Sequence, residues 1–339
     1  MRGLSTGRTP SSERRKGSSI PVLLAAFLVA GCVAAATPTP VPTPTAAATP
    51  SQAPTPSATP VQPAFPLTVT DDEGTEVAIA AEPERIVSLS PANTEIVWAL
   101  GAGDRQVGGT DFDDFPAEAA ALPDVASYTG VDVEKIVGLE ADLVLATGNG
   151  FNPPDDVARL RSLGIPVLVV YAPDVAGVLA DIELIGTAIG EREAALRLTA
   201  VMRAELDRIS AATRAAGTAP RVFYELDATA EIYGPADDSF IAEMIELAGG
   251  DPITTGDPNV FAISLERLVA ADPEVIVLGD ANYGATPEGV AQRPGWGGMT
   301  AVKAGAIRAV DDIIVTRPGP RLTEGLLALA RAIHPDLGR

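Results

Sequence analysis

One cysteine, one histidine and two tryptophans in 339 residues leave little from which common enzyme centres are built. A zinc site of the usual kind needs several Cys or His ligands, and a Ser-His-Asp or Cys-His centre needs a histidine beside its nucleophile. His334, the only histidine, stands at the end of the last predicted helix, where solvent exposure is expected. A lone Cys32 excludes an intrachain disulfide, so stability must come from the core. There is no G-x-x-x-x-G-K-[ST] phosphate loop and no G-x-S-x-G elbow. Gly101-Ala102-Gly103 fails the dinucleotide fingerprint, because Gln106 fills the third glycine position and a helix precedes it. Positive charge is also scarce: 24 Lys and Arg face 45 Asp and Glu, for a net charge of −21. Five of those basic residues precede Leu67, so the folded part is more acidic than the total suggests. Such a surface argues against nucleic acid and against adsorption to anionic lipid, and suits docking on a basic partner. No catalytic or metal-ligating set is expected. A secreted hydrolase using a carboxylate pair is the competing class, since acids are abundant, but spacing picks out no pair.

The N-terminus carries a targeting signal. Arg14, Arg15 and Lys16 precede an uncharged apolar run over residues 20–31, short of the roughly 20 residues of a spanning helix. It ends in Val29-Ala30-Gly31-Cys32, which matches the lipobox of bacterial lipoproteins, so Cys32 is the expected lipidation site and residues 1–32 the signal peptide. Residues 33–66 are almost all Thr, Pro, Ala, Ser and Gln. Repeated Thr-Pro steps favour extended polyproline II and predict a disordered tether. An extracytoplasmic protein held at the cell membrane by lipid alone is expected.

The folded part contains a repeat. Asp132-Val133-Glu134-Lys135-Ile136-Val137 and Ser264-Leu265-Glu266-Arg267-Leu268-Val269, 132 positions apart, each open a short helix with a capping residue and a glutamate in the first turn. The pairs Ile136/Val137 and Leu268/Val269 are expected to bury one face. An acid and an all-apolar strand follow in each copy, as in a parallel sheet covered on both faces. Arg221-Val222-Phe223 likewise mirrors Arg85-Ile86-Val87. Further strands are predicted at 67–69, 76–79, 167–171 and 313–315, with helices after Ser90 and at 157–163, 178–189, 239–247 and 322–333. The stretch 191–216, free of Pro and Gly and rich in Ala, Leu, Glu and Arg, predicts one long helix able to cross between lobes. The predicted fold is α/β: two Rossmann-like lobes with mainly parallel sheets, 67–190 and 218–339, joined by a helix at 191–217, with a ligand cleft between them.

Ser90-Pro91-Ala92-Asn93-Thr94-Glu95, then Phe112-Asp113-Asp114-Phe115-Pro116, then Tyr128-x-Gly130-x-Asp132-x-Glu134 resemble the iron/cobalamin family of substrate-binding proteins of ABC importers, and most of all its vitamin B12 binders. The likeness extends through Gly249-Gly250 and the Glu266 unit to Arg317-x-x-Pro320-Arg321. The resemblance implies a monomeric receptor that delivers its ligand to a permease dimer with ATPase subunits. It implies that Glu134 and Glu266 dock on permease arginines. An acid in a helix first turn is also favoured by the macrodipole, but its occurrence in both lobes argues for docking. The family motifs put Phe112 and Tyr128 on one rim of the cleft and Arg317 on the other, and Tyr233 and Phe261 are candidates from position alone. Each aromatic has core packing as its alternative role. Thr147 and Val260 stand where the nearest B12 binders carry tryptophans. The expected ligand is cobalamin or a related corrinoid, with a ferric siderophore or haem as the alternatives. No separate cofactor is expected.

Overall fold

The computed structural model describes residues 65–337; Cys32 and nearly all of the Thr/Pro-rich segment lie outside the described residues. The first lobe begins with an antiparallel hairpin, β1 (Leu67–Thr70) and β2 (Glu76–Ile79). Asp71 shapes its turn by accepting from the Glu73 and Thr75 N–H groups, and its second oxygen takes Arg161 at 2.7 Å. Then come β3 (Ile86–Ser88), α1 (Pro91–Ala99), β4 (Gln106–Thr110), β5 (Asp124–Ser127), β6 (Gly130–Val131), α2 (Val133–Gly138), β7 (Leu143–Thr147), α3 (Pro154–Ser162), β8 (Val167–Val170) and α4 (Val175–Ala188). The sheet order is β6-β5-β4-β3-β7-β8, parallel except for β6.

The linking helix α5 (Arg192–Ala215) has 24 residues, about 36 Å of helix. Gly186 of α4 admits it closely, since a Cβ there would overlap Ala195. Beyond α5 lie β9 (Arg221–Glu225), α6 (Phe240–Leu247), β10 (Asp251–Pro252), α7 (Leu265–Ala271), β11 (Val275–Leu278), α8 (Pro287–Ala291), α9 (Thr300–Ala304), β12 (Ile307–Ala309), α10 (Asp312–Thr316) and α11 (Leu322–Ile333). The second sheet, β10-β9-β11-β12, is all parallel. One apolar cluster runs from Ile86 and Leu143 through Ile182, Met202 and Leu206 to Val277 and Leu326, so the two lobes share a core through α4, α5 and α11. Sliding one lobe on the other would expose that surface, which opposes large hinge motion.

The repeat holds down to single hydrogen bonds. Asp142 and Glu274 occupy equivalent positions; their carboxylates accept from the Arg85 and Arg221 N–H groups at 2.9 and 3.1 Å. The Arg85 and Arg221 Nε atoms in turn donate to the carbonyls of Leu139 and Ala271, again 132 residues apart. Glu140 and Asp272, also equivalent, both take left-handed φ values, 53° and 48°, where the chain turns from helix to strand.

Three expectations are corrected. Residues 313–315 are helical rather than a strand. Their β-branched run invites a strand reading, but Asp311 accepts from the Ile313 N–H, and the Thr316 hydroxyl donates to the Asp312 carbonyl. Close packing fixes the turn, because a Cβ on Gly325 of α11 would overlap the Ile314 carbonyl oxygen. His334 is buried, not solvated, with Nε2 3.1 Å from the Gly249 oxygen. Ile136 and Leu268 are fully buried, whereas Val137 and Val269 face outward. Adjacent helical residues point about 100° apart, and these short helices have only one covered face.

Candidate functional site

Parallel sheets present loops at the C-terminal ends of their strands, and ligands bind there in open α/β folds. Such loops enclose a cavity of about 950 Å³ between the lobes. The first lobe contributes residues after β3 (Ser90, Pro91, Asn93), β4 (Phe112, Asp114), β5 (Tyr128), β7 (Thr147, Phe151) and β8 (Tyr171). The second contributes Tyr283, Asp312, Thr316 and Arg317. This volume is at the upper end of the roughly 300–1,000 Å³ of small-molecule sites.

Five aromatic residues give the cleft its apolar faces: Phe112, Tyr128, Phe151, Tyr171 and Tyr283. Phe112 and Tyr128 meet edge to face, with ring centroids 4.3 Å apart. The Phe112 loop is held by Asp113, whose carboxylate accepts from the Thr94 and Thr110 hydroxyls at 2.7 Å each and from the Thr110 N–H. Burial nevertheless pushes the Asp113 carboxyl above the usual range. Asn152 ties the β7 and β3 ends together, accepting from Thr147 N at 2.7 Å and donating to Leu89 O at 3.1 Å. The Tyr171 hydroxyl accepts from Asn149 Nδ2, and its N–H donates to Asp72 in the hairpin turn. In the second lobe the chain after β11 that carries Tyr283 passes over a charged knot. The buried Glu225 carboxylate takes both Arg293 terminal nitrogens at 2.5 and 2.9 Å. The Asp280 carboxyl beside it is pushed up to about 7 by burial and by Glu225.

Two features govern charge inside the cleft. Asp181 of α4 lines it while almost fully buried; burial, then the nearby Asp72 carboxylate, pushes its carboxyl up to about 8. At neutral pH it carries a proton, which it donates to the Asp72 carboxylate. Across the base, Glu95 of α1 joins the lobes, accepting from Arg317 Nη1 at 2.7 Å and from Arg321 Nε and Nη2 at 3.0 and 2.6 Å. Arg317 also donates to Asp114 at 2.6 Å, and the Arg321 guanidinium lies 4.3 Å over the Phe115 ring.

Of the residues singled out in sequence, Phe112, Tyr128 and Arg317 line the cavity, while Tyr233 and Phe261 do not. Tyr233 bridges antiparallel to Asp227 and Ala262, and the Phe261 carbonyl accepts from Gly234 N, so both belong to a small set of bridged segments in the second lobe. Thr147 lines the cavity and Val260 does not. Phe151, Tyr171, Tyr283, Asp181 and Glu95 escaped sequence reasoning. For two of these a signal existed: Phe151 and Tyr283 are again 132 positions apart, so the repeat places one aromatic in each lobe's loop. Glu134 and Glu266 are exposed on α2 and α7, with Arg159 Nη2 a loose 3.9 Å from Glu134. Among the described residues no cluster of metal-ligating side chains occurs, and no helix is long and apolar enough to cross a membrane.

Residues 86–313, which span both sheets and most of the cleft, match the family described as periplasmic binding protein. The chain belongs to that family. It is 34% identical over 328 residues to the uncharacterized ABC transporter substrate-binding lipoprotein YvrC of Bacillus subtilis, covering 96% of this chain and 98% of that one. It is 33% identical over 287 residues to a cobalamin-binding protein of Halobacterium salinarum, covering 80% and 75%. Among solved structures, the periplasmic heme-binding protein RhuT from Roseiflexus sp. RS-1 superposes with a TM-score of 0.66 at 28% identity, covering 74% of this chain and 98% of that one. A periplasmic binding protein with these relatives is a substrate-binding protein of the ABC transporter class and not an enzyme, which removes the competing hydrolase reading.

Proposed function

We propose that this protein captures cobalamin or a related corrinoid in the interlobe cleft and delivers it to an ABC permease dimer driven by ATPase subunits. The observation that carries the reading is the large cleft faced by aromatic rings from both lobes, with Phe151 and Tyr283 at duplicated positions. A corrin ring is broad and amphipathic, so rings on two sides and polar groups such as the Asn93 amide, whose Nδ2 has no partner within the protein, suit its faces and its amide fringe. Phe151 and Tyr283 supply apolar area that Thr147 does not. A corrinoid also brings its own metal ligands, which fits a chain whose one histidine packs against Gly249, away from the cleft. The protein acts as a monomer outside the cytoplasm, tethered through lipid on Cys32 and the Thr/Pro-rich segment. Glu134 and Glu266 meet cationic side chains, one on each permease subunit.

Haem is the second reading, because Tyr128, Tyr171 and Tyr283 bring phenol oxygens to the same cleft and ferric iron accepts such ligands. Titration calorimetry and absorbance with cyanocobalamin, hemin and a ferric hydroxamate separate the cases. Micromolar or tighter binding of cyanocobalamin without a hemin Soret shift is expected. Hemin binding with no heat from cyanocobalamin refutes the corrinoid reading and leaves the transport class intact.

A further inference from the structure

On α2, Glu134, Val137 and Gly138 fall at i, i+3 and i+4 and form one exposed helix face; on α7, Glu266, Val269 and Ala270 repeat it position for position. The two valines are 46% and 38% exposed although their neighbours Ile136 and Leu268 are fully buried. The basic residue beside each acid is exposed but engaged with backbone in the same way: Lys135 Nζ donates to Asp124 O at 2.6 Å, and Arg267 Nε and Nη2 to Thr254 O at 3.3 Å each. Each lobe thus offers an exposed carboxylate, an uncovered valine one turn on and a residue too small to hold a partner off; the one difference is Arg159, a loose and solvent-exposed 3.9 Å from Glu134. The adjacent cation is engaged with backbone. A scattered surface valine needs no explanation. The same valine beside the same acid in both copies of a repeat does.

We infer that each lobe docks through a three-residue face, and that the partner is a surface of two like subunits, each presenting a cationic side chain beside a small apolar pocket. This rests on the permease-docking reading above and adds the partner's chemistry to it. The acid selects a cation. The valine fills the pocket and keeps water from the ion pair, which strengthens a charged contact at an interface. Gly138 and Ala270 let the partner backbone approach. Because the two faces are equivalent, a partner with two-fold symmetry can engage both with the same residues.

The test uses the full-length lipidated protein and the host's own cobalamin permease–ATPase complex in nanodiscs, with binding read by surface resonance. Val→Ser keeps helix propensity and removes about half a valine's worth of buriable area. V137S and V269S should each weaken docking about threefold and the pair about tenfold. Ala270→Gln should weaken it further by holding the partner off. V201S, at a 68%-exposed valine of α5, is the control and should change nothing, and cyanocobalamin affinity should stay constant throughout. If V137S/V269S docks like wild type while E134Q/E266Q is impaired, the acids work alone and the inference is wrong, though the docking reading stands. An effect at only one valine overturns the equivalence, and an equal effect from V201S makes the loss nonspecific. Wild-type docking by E134Q/E266Q removes the underlying docking reading itself.

Discussion

Replacing Glu95 by Gln tests what holds the two lobes together behind the cleft. The Glu95 side chain is 2% exposed and takes three hydrogen bonds from Arg317 and Arg321, whose side chains are 15% and 18% exposed. Glutamine fills the same space but turns an amide N–H₂ toward a guanidinium, leaving Arg321 without its carboxylate. Breaking a buried pair by removing one partner costs about 3–5 kcal/mol. Asp114 remains for Arg317, and both arginines reach some solvent, which brings the expected loss to the low end, about 3 kcal/mol. At roughly 2 °C per kcal/mol for a folded part of this size, the melting temperature should fall by about 6 °C. Calorimetric melting and urea unfolding read the change, and a double-mutant cycle with Arg321→Gln should return a coupling above about 1 kcal/mol. A fall of less than about 2 °C, or no coupling, refutes the reasoning and makes the shared apolar core the only significant tie between the lobes.

Asp181 makes stability depend on pH in a stated direction. Its carboxyl lies at about 8 when folded against an unfolded value near 3.8. Below about 4 both states are protonated. Between about 4 and 8 the unfolded chain ionises it while the folded one does not, so stability declines as pH rises through that window. Asp181→Asn should flatten the decline and unfold at higher urea than wild type at pH 8; identical urea midpoints at pH 5 and pH 8 for the two proteins rule this out. Cys32→Ser should move the protein from the membrane to the soluble fraction with cyanocobalamin affinity unchanged, and retention after a salt wash counts against the lipid anchor.

The repeat announces two lobes because a duplicated pattern of cap, glutamate, buried residue and apolar strand is local, and each part has a local cause. Ser90 capping α1, Asp132 capping α2 and Ser264 capping α7 follow from side chains bonding N–H groups three residues on. The strands Leu143–Thr147, buried except at Thr147, and Val275–Leu278, buried throughout, follow from composition, as does the uninterrupted α5. Even Phe151 and Tyr283 were legible, had the repeat been followed four residues beyond β7 and five beyond β11. Residues 313–315 became a helix through local hydrogen bonds at Asp311 and Thr316 together with a close approach of Gly325, and that approach from another element only the tertiary structure supplies. Only packing distinguished Val137 and Val269 from the buried Ile136 and Leu268, because which face of a short helix is covered depends on what lies against it. It also left Tyr233 and Phe261 outside the cavity lining. The Glu95–Arg317–Arg321 bridge spans more than 220 residues of sequence and the Asp72–Asp181 pair more than 100. Charge pairing at such separation leaves no periodicity in the chain, and its strength depends on burial that exists only after both lobes have closed around it.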